Sequence, residues 1–176
     1  MMTVEEYESL PEHGQKHELL RGELISVSPN YLHGLLQSRI VISLGRFVEA
    51  HGLGDVVTET AFEIPTDPPT VLMPDIAFVR AAATPAAEQR TLRYAHVVPD
   101  LVVEVISPSE TTRSIRTKVA AYLDHGVGMV MLVYPESKEV ALWPSDGSTR
   151  SFEEADVLDV GDVVPAFTLA LSHLFR

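Results

Sequence analysis

Two carboxylates embedded in apolar runs are the residues of this chain that could do chemistry: Asp75 in "LMPDIAFV" and Glu104 in "DLVVEVIS". Leu101, Val102, Val103, Val105 and Ile106 surround Glu104. On a strand, side chains alternate between faces, so Glu104 shares one face with Val102 and Ile106 while Leu101, Val103 and Val105 take the other. Apolar residues on both faces predict a strand inside a sheet. A carboxylate there is costly unless it is paired, protonated or bound to a metal. Two of them on successive strands would repel at close range and call for a cation between them. Oxygen ligands suit magnesium or manganese. Plainer uses stay open: an Asp after a Pro also caps turns, and a buried Glu also pairs with a lysine or arginine.

Lys118 is the lysine placed to matter. In "TTRSIRTKVAAYLDHG" it follows Ile115 by three residues and precedes Tyr122 by four, at the edge of an apolar helical stripe. Its ammonium can reach toward the sheet, or snorkel on a solvated flank. Arg113 and Arg116 complete the one dense basic run. Arginine suits bidentate phosphate contact, although on helix surfaces it is commonly just solvated.

The elements that must position these groups are legible from pattern. "TVEEYESLPE" predicts a short helix with Thr3 as N-cap and Glu6 closing a capping box. "KHELLRGELISVSP" predicts a hairpin turning at Arg21-Gly22. From Tyr31 to Ala50, Leu32, Leu36, Ile40, Leu44 and Val48 recur at helical spacing, and "HGLG" ends the run. "GDVVTETAFEIP", "VLMPDIAFVR" and "DLVVEVIS" each read as a strand, with "TDPPT" as a loop and a further loop carrying a helical turn before Pro99. After the lysine helix, "GMVMLVYP" and "KEVALWP" form a hairpin around Glu136-Ser137, with Trp143 packing at its end. An exposed edge at "MVMLVY" would offer a dimer contact. From Ser145 the chain reads as acidic loop until "PAFTLALSHLF", a short closing helix. The sum is one α/β (mixed α+β) domain over 1–176, a mixed central sheet flanked by helices.

Composition narrows the function classes. With 13 Lys and Arg against 25 Asp and Glu, the formal net charge is −12, unlike the basic face of most nucleic-acid binders. There are 0 cysteines, which excludes disulfides, thiolate zinc sites and iron–sulfur clusters and fits a reducing cytoplasm. "MMTVEEYESLPE" lacks the apolar core of a signal peptide, and no apolar run approaches a membrane span. The expectation is a soluble cytoplasmic protein. No Walker loop, G-x-G-x-x-G, G-x-S-x-G or H-E-x-x-H is present. Of the 7 histidines, His13 and His17 alone have helical spacing, and Gly14 between them argues against a helical zinc site.

Taken in order, "KHELLRGELISVSP" with His33, "MPDIAFV", "PDLVVEVISPS" and "RTKVAAYLDHGVGMVMLVYPESKEVALW" resemble the Uma2 family of restriction-endonuclease-like proteins, over roughly residues 3–143. The resemblance implies a PD-(D/E)XK nuclease-like core. It implies Asp75 and Glu104 as metal ligands, with the Val105 carbonyl as a third. The lysine of that motif normally lies two residues after the acid, where this chain has Ile106. Lys118 looks like its relocated replacement. Glu18 matches the family's "E-L-x-x-G" acid and joins the site, with His33 a candidate contact to substrate.

Three activities follow as expectations. The leading one is Mg²⁺- or Mn²⁺-dependent hydrolysis of phosphodiesters in DNA, with Lys118 steadying developing charge and Arg113 and Arg116 on phosphates. The second is a non-catalytic binding or assembly module in which Glu104 and Lys118 form a buried ion pair. The third is hydrolysis of a small phosphate ester, which the acidic surface opposes less.

Overall fold

The computed structural model describes residues 1–10, 16–27 and 30–176. His13, and the ends of the predicted first helix and first hairpin at Pro11-Glu12 and Ser28-Pro29, lie outside the described residues.

The chain opens with α1 (Val4–Glu8), where Thr3 and Glu6 form the predicted capping box. Next come β1 (Lys16–Leu20) and β2 (Glu23–Val27). Their turn places Arg21 at φ 50° and Gly22 at φ 74°, the paired positive angles of a tight hairpin that right-handed strand twist favours. The long helix α2 (Tyr31–His51) starts on Asn30, whose side chain accepts the His33 N–H, and stops at Gly52 in the left-handed region. β3 (Gly54–Thr58), β4 (Phe62–Ile64), β5 (Thr70–Leu72), β6 (Ile76–Arg80) and β7 (Leu101–Val105) follow. Between β6 and β7 runs a loop with two 3₁₀ turns, Ala81–Ala83 and Gln89–Thr91. The remaining elements are α3 (Thr112–Asp124), β8 (Met129–Tyr134), β9 (Glu139–Pro144), β10 (Arg150–Phe152), β11 (Val157–Asp159), β12 (Thr168–Ala170) and α4 (Leu171–Leu174).

A mixed sheet in the order β10-β9-β8-β7-β6-β3 forms the centre, and a smaller one, β2-β1-β5-β4, lies beside it. β7 and β8 are its parallel pair, joined through α3; the other neighbours in this sheet are antiparallel. One face packs Ile76, Phe78, Leu101, Val103, Val105 and Met131 against Leu36, Ile40, Leu44 and Val48 of α2. The other packs Val102, Val130 and Leu132 against Val119, Ala121 and Tyr122 of α3, with Leu20, Ile64 and Leu72 of the small sheet closing over them. The expected mixed sheet between helices is therefore the observed architecture.

Four expectations need correction. The run "VLMPDIAFVR" is not one strand but two, β5 and β6, in different sheets. Pro74 at the break has no N–H to donate to a ladder, so the chain leaves one sheet and enters the other across Met73–Asp75. "GDVVTETAFEIP" likewise divides into β3 and β4, with Glu59 at φ 48° in the corner. The stretch after Ser145 is not loop until a closing helix: it holds β10, β11 and β12, and "PAFTLALSHLF" contains β12 as well as α4. Finally, β8 is not an exposed edge. It is hydrogen-bonded on both sides, to β7 and β9, which leaves it no row of unpaired backbone for a second copy.

Candidate active site

Strand alternation sends Glu104 to the α3 side of β7, between Val102 and Ile106, as its spacing predicts. α3 meets it there with two side chains four residues apart on one helical face. Lys118 Nζ lies 3.1 Å from Glu104 Oε2, and Tyr122 donates its hydroxyl to Glu104 Oε1 at 2.7 Å. The small sheet supplies a second carboxylate: Glu18 Oε2, on β1, faces the same Nζ at 2.8 Å. Glu18 Oε1 accepts the Met73 N–H at 2.8 Å, which ties the acid to the crossover between the sheets. Glu18 is 0% exposed and Lys118 7%, so this cluster is shielded from water and its charges interact strongly. Burial works against charge on Lys118, but the Glu104 and Glu18 carboxylates outweigh it and hold the lysine pKa above the ordinary range. Burial, reinforced by Glu104, likewise keeps the Tyr122 hydroxyl protonated well beyond normal tyrosine behaviour.

Asp75 is fixed from several sides. The β6–β7 register pairs Ile76 with Val103, so Asp75 and Glu104 stand one step further on, at adjoining ends of neighbouring strands. Asp75 Oδ2 accepts the Val105 N–H at 2.8 Å and lies 3.1 Å from His33 Nε2. Its main-chain oxygen accepts from Gln37 Nε2 at 3.1 Å and from the Glu59 N–H at 3.3 Å. His33, in the first turn of α2, is buried with its Nδ1 lacking a hydrogen-bond partner among the described residues. A small cavity of about 90 Å³ opens beside it, lined by Asn30, His33, Ile106, Ser107 and Glu136 among others. A larger cavity of about 630 Å³, between the second half of α2, β3 and the loop near Arg90, contains none of these acids.

The fold thus gathers Glu18, Glu104 and Lys118 into one contact set, and Asp75, Val105 and His33 into an adjoining one. Ile106, at the position of the family lysine, is packed among apolar neighbours, and its N–H donates to Val133 O at 2.8 Å. Arg113 and Arg116 are exposed on α3, outside the buried cluster. Sequence reasoning took Tyr122 as packing alone and passed over Gln37. The signal for Tyr122 was its four-residue spacing from Lys118; Gln37 carried none, because its partner is a main-chain oxygen.

Glu18 and Glu104 flank the Lys118 ammonium, Asp75 and His33 pair alongside, and hard oxygen donors are what magnesium and manganese prefer. Among the described residues, no group of three or more histidine, aspartate or glutamate side chains is arranged to hold an ion by itself. Main-chain oxygen and water would have to complete any site these carboxylates form, as they commonly do for magnesium.

A sequence profile described as "Uma2: Putative restriction endonuclease" matches residues 4–172. The chain belongs to the Uma2 family. The match runs past the hairpin that ended the resemblance and takes in β10, β11 and β12. Among solved structures, one titled as a putative nuclease belonging to DUF820, from Anabaena variabilis, superposes with a TM-score of 0.87. It covers 99% of this chain and 98% of its own at 21% identity, a likeness of fold. No match is found among curated proteins. The Uma2 protein therefore has the mixed α+β fold of a nuclease-like relative, with its buried acids at the junction of two sheets.

Proposed function

We propose that this Uma2 protein is a metal-dependent endonuclease that hydrolyses phosphodiester bonds in DNA. The observation that carries the reading is the adjacency of Asp75 and Glu104 at the ends of β6 and β7, with the Lys118 ammonium held against Glu104. Asp75, Glu104 and the Val105 carbonyl would hold Mg²⁺ or Mn²⁺. Such an ion, when bound, polarises a scissile phosphate and acidifies a coordinated water. The chain's own groups supply the rest. Lys118 keeps its proton at neutral pH and offers a fixed positive charge for a phosphoryl oxygen. Glu18 anchors that ammonium from the small sheet, and His33 with the Val105 N–H fixes the Asp75 carboxylate. Arg113 and Arg116 stand exposed nearby as phosphate contacts. A cytoplasmic setting is part of this reading, in keeping with a chain of 0 cysteines; among the described residues no helix is long and apolar enough to cross a membrane. A homodimer in this reading uses an outer strand, β10 or β3.

The test is manganese calorimetry and plasmid cleavage on wild type, Asp75→Asn and Glu104→Gln, each checked for folding by circular dichroism. Metal binding and nicking by wild type, both lost in the folded variants, is the expected result. No heat at millimolar manganese and no cleavage would end the nuclease reading.

A second reading has its own support. Lys118 already bridges Glu18 and Glu104, and Tyr122 satisfies the remaining oxygen of Glu104, a closed polar cluster that suits a non-catalytic assembly module. That reading expects wild type to bind no manganese while remaining fully folded.

A further inference from the structure

Away from the buried acids, α2 and the C-terminal elements border an open concavity of about 500 Å³ lined by Arg39, Arg46, His173 and Arg176, with no carboxylate side chain among the described residues of its wall. In a chain with 25 acidic residues against 13 basic ones, three guanidiniums around one hollow form a local reversal of sign. Its floor is apolar, chiefly Ile42 at 53% exposed, with the buried Leu169 and Leu174 behind it.

Ile42, Ser43 and Arg46 lie three, four and seven residues after Arg39 along α2, on one face of the helix. Leu36, Ile40, Leu44 and Val48 occupy the face turned to the sheet. The hollow therefore belongs to a different flank of α2 from His33 and Asp75. Arg39 builds the wall rather than standing free: its Nη1 donates to Leu174 O and to Arg176 O, both at 2.7 Å, which ties α2 to the end of α4. With Arg39 so engaged, Arg46, Arg176 and His173, all exposed, still face the hollow.

The geometry points to a second binding site, for a nucleotide. Guanidiniums recognise phosphate oxygens with directed, charge-assisted hydrogen bonds. An apolar floor between them takes the flat ring that a bare phosphate lacks, and the volume is in the range of small-ligand sites. Nothing in this site depends on metal or on the buried acids, so it stands apart from the proposed nuclease centre. The nucleotide can be free or the end of a nucleic-acid strand, because both present phosphate next to a ring.

The experiment is binding to the full chain in EDTA, which suppresses any metal-dependent contact or hydrolysis. The probes are ADP, a short 5′-phosphorylated single-stranded oligonucleotide, and inorganic pyrophosphate. Arg46→Glu and Arg176→Glu are the variants, since both side chains are exposed and their folding is checked by melting. Binding of ADP or of the oligonucleotide should weaken roughly tenfold or more in each variant and on raising salt from about 50 to about 200 mM. Whichever of the two binds more tightly names the source. No binding of either by wild type, or binding unchanged in both charge-reversed variants, overturns the site. Pyrophosphate binding as tight as ADP overturns the nucleotide assignment, because the apolar floor would then contribute nothing.

Discussion

The two faces of β7 are built from alternate residues of one five-residue strand, yet they do opposite things. The α2 face, Leu101, Val103 and Val105, is wholly apolar and joins the larger core cluster. The α3 face carries Glu104 beside Val102 and answers it with Lys118, Tyr122 and Glu18. Both faces are equally dry. The difference is that packing on the first face needs only shape, whereas the second needs complementary charge supplied by two other elements. A strand can thus place a charged group inside a domain if its alternation keeps that group away from the pure core and its neighbours arrive with partners.

Breaking the charged face should have the largest effect. Lys118→Met leaves Glu18 and Glu104 together in a dry site without their ammonium and should cost about 3–5 kcal/mol at neutral pH. The loss, read from urea unfolding, should shrink on acidification, because protonating either carboxylate removes the repulsion. A cost independent of pH would show that the lysine acts through packing.

On the other face, Leu101→Ala removes only apolar contact. Its cost should be about 2–5 kcal/mol, set by the cavity it leaves, and should not vary between mildly acid and mildly alkaline buffer. The pair of variants separates shape from charge.

A smaller change sharpens the charged side. Tyr122→Phe removes one hydrogen bond to a carboxylate and should cost about 1.5–3 kcal/mol. In wild type, Lys118 and Tyr122 both keep their protons to higher pH in the fold than their ordinary values of 10.5 and 10.0. Above pH 10 the unfolded chain therefore binds fewer protons, and stability falls as pH rises. Tyr122→Phe should flatten that alkaline decline, as followed by melting temperature across the range. The smallest effect belongs to Arg113→Ala and Arg116→Ala. Both should stay within about 0.5 kcal/mol of wild-type stability, as exposed substitutions do, while any DNA affinity drops.

How much was legible divides along physical lines. Helix α2 and its stop were readable because a 3.6-residue period and a glycine cap are local signals. Glu104 and its face were readable because alternation fixes direction within one strand. The division of "VLMPDIAFVR" was not, since its apolar run continues across Pro74 while the chain changes sheet. The strands after Ser145 were missed because segments of three residues carry too little pattern to stand above loop composition.

By itself the sequence determined that two carboxylates would sit inside apolar strand runs, that a lysine would stand at the edge of a helical apolar stripe within reach of the sheet, and that the frame would be a mixed sheet between helices. These follow from period, alternation and composition, all properties of neighbouring residues. Only the tertiary structure decided that Glu18, 86 positions before Glu104 in the sequence, would share its lysine, or that Asp75 would rest on the Val105 N–H and His33. Those contacts depend on how two sheets and two helices meet, and a charge's partner across such a junction is set by distance in space, which no local period encodes.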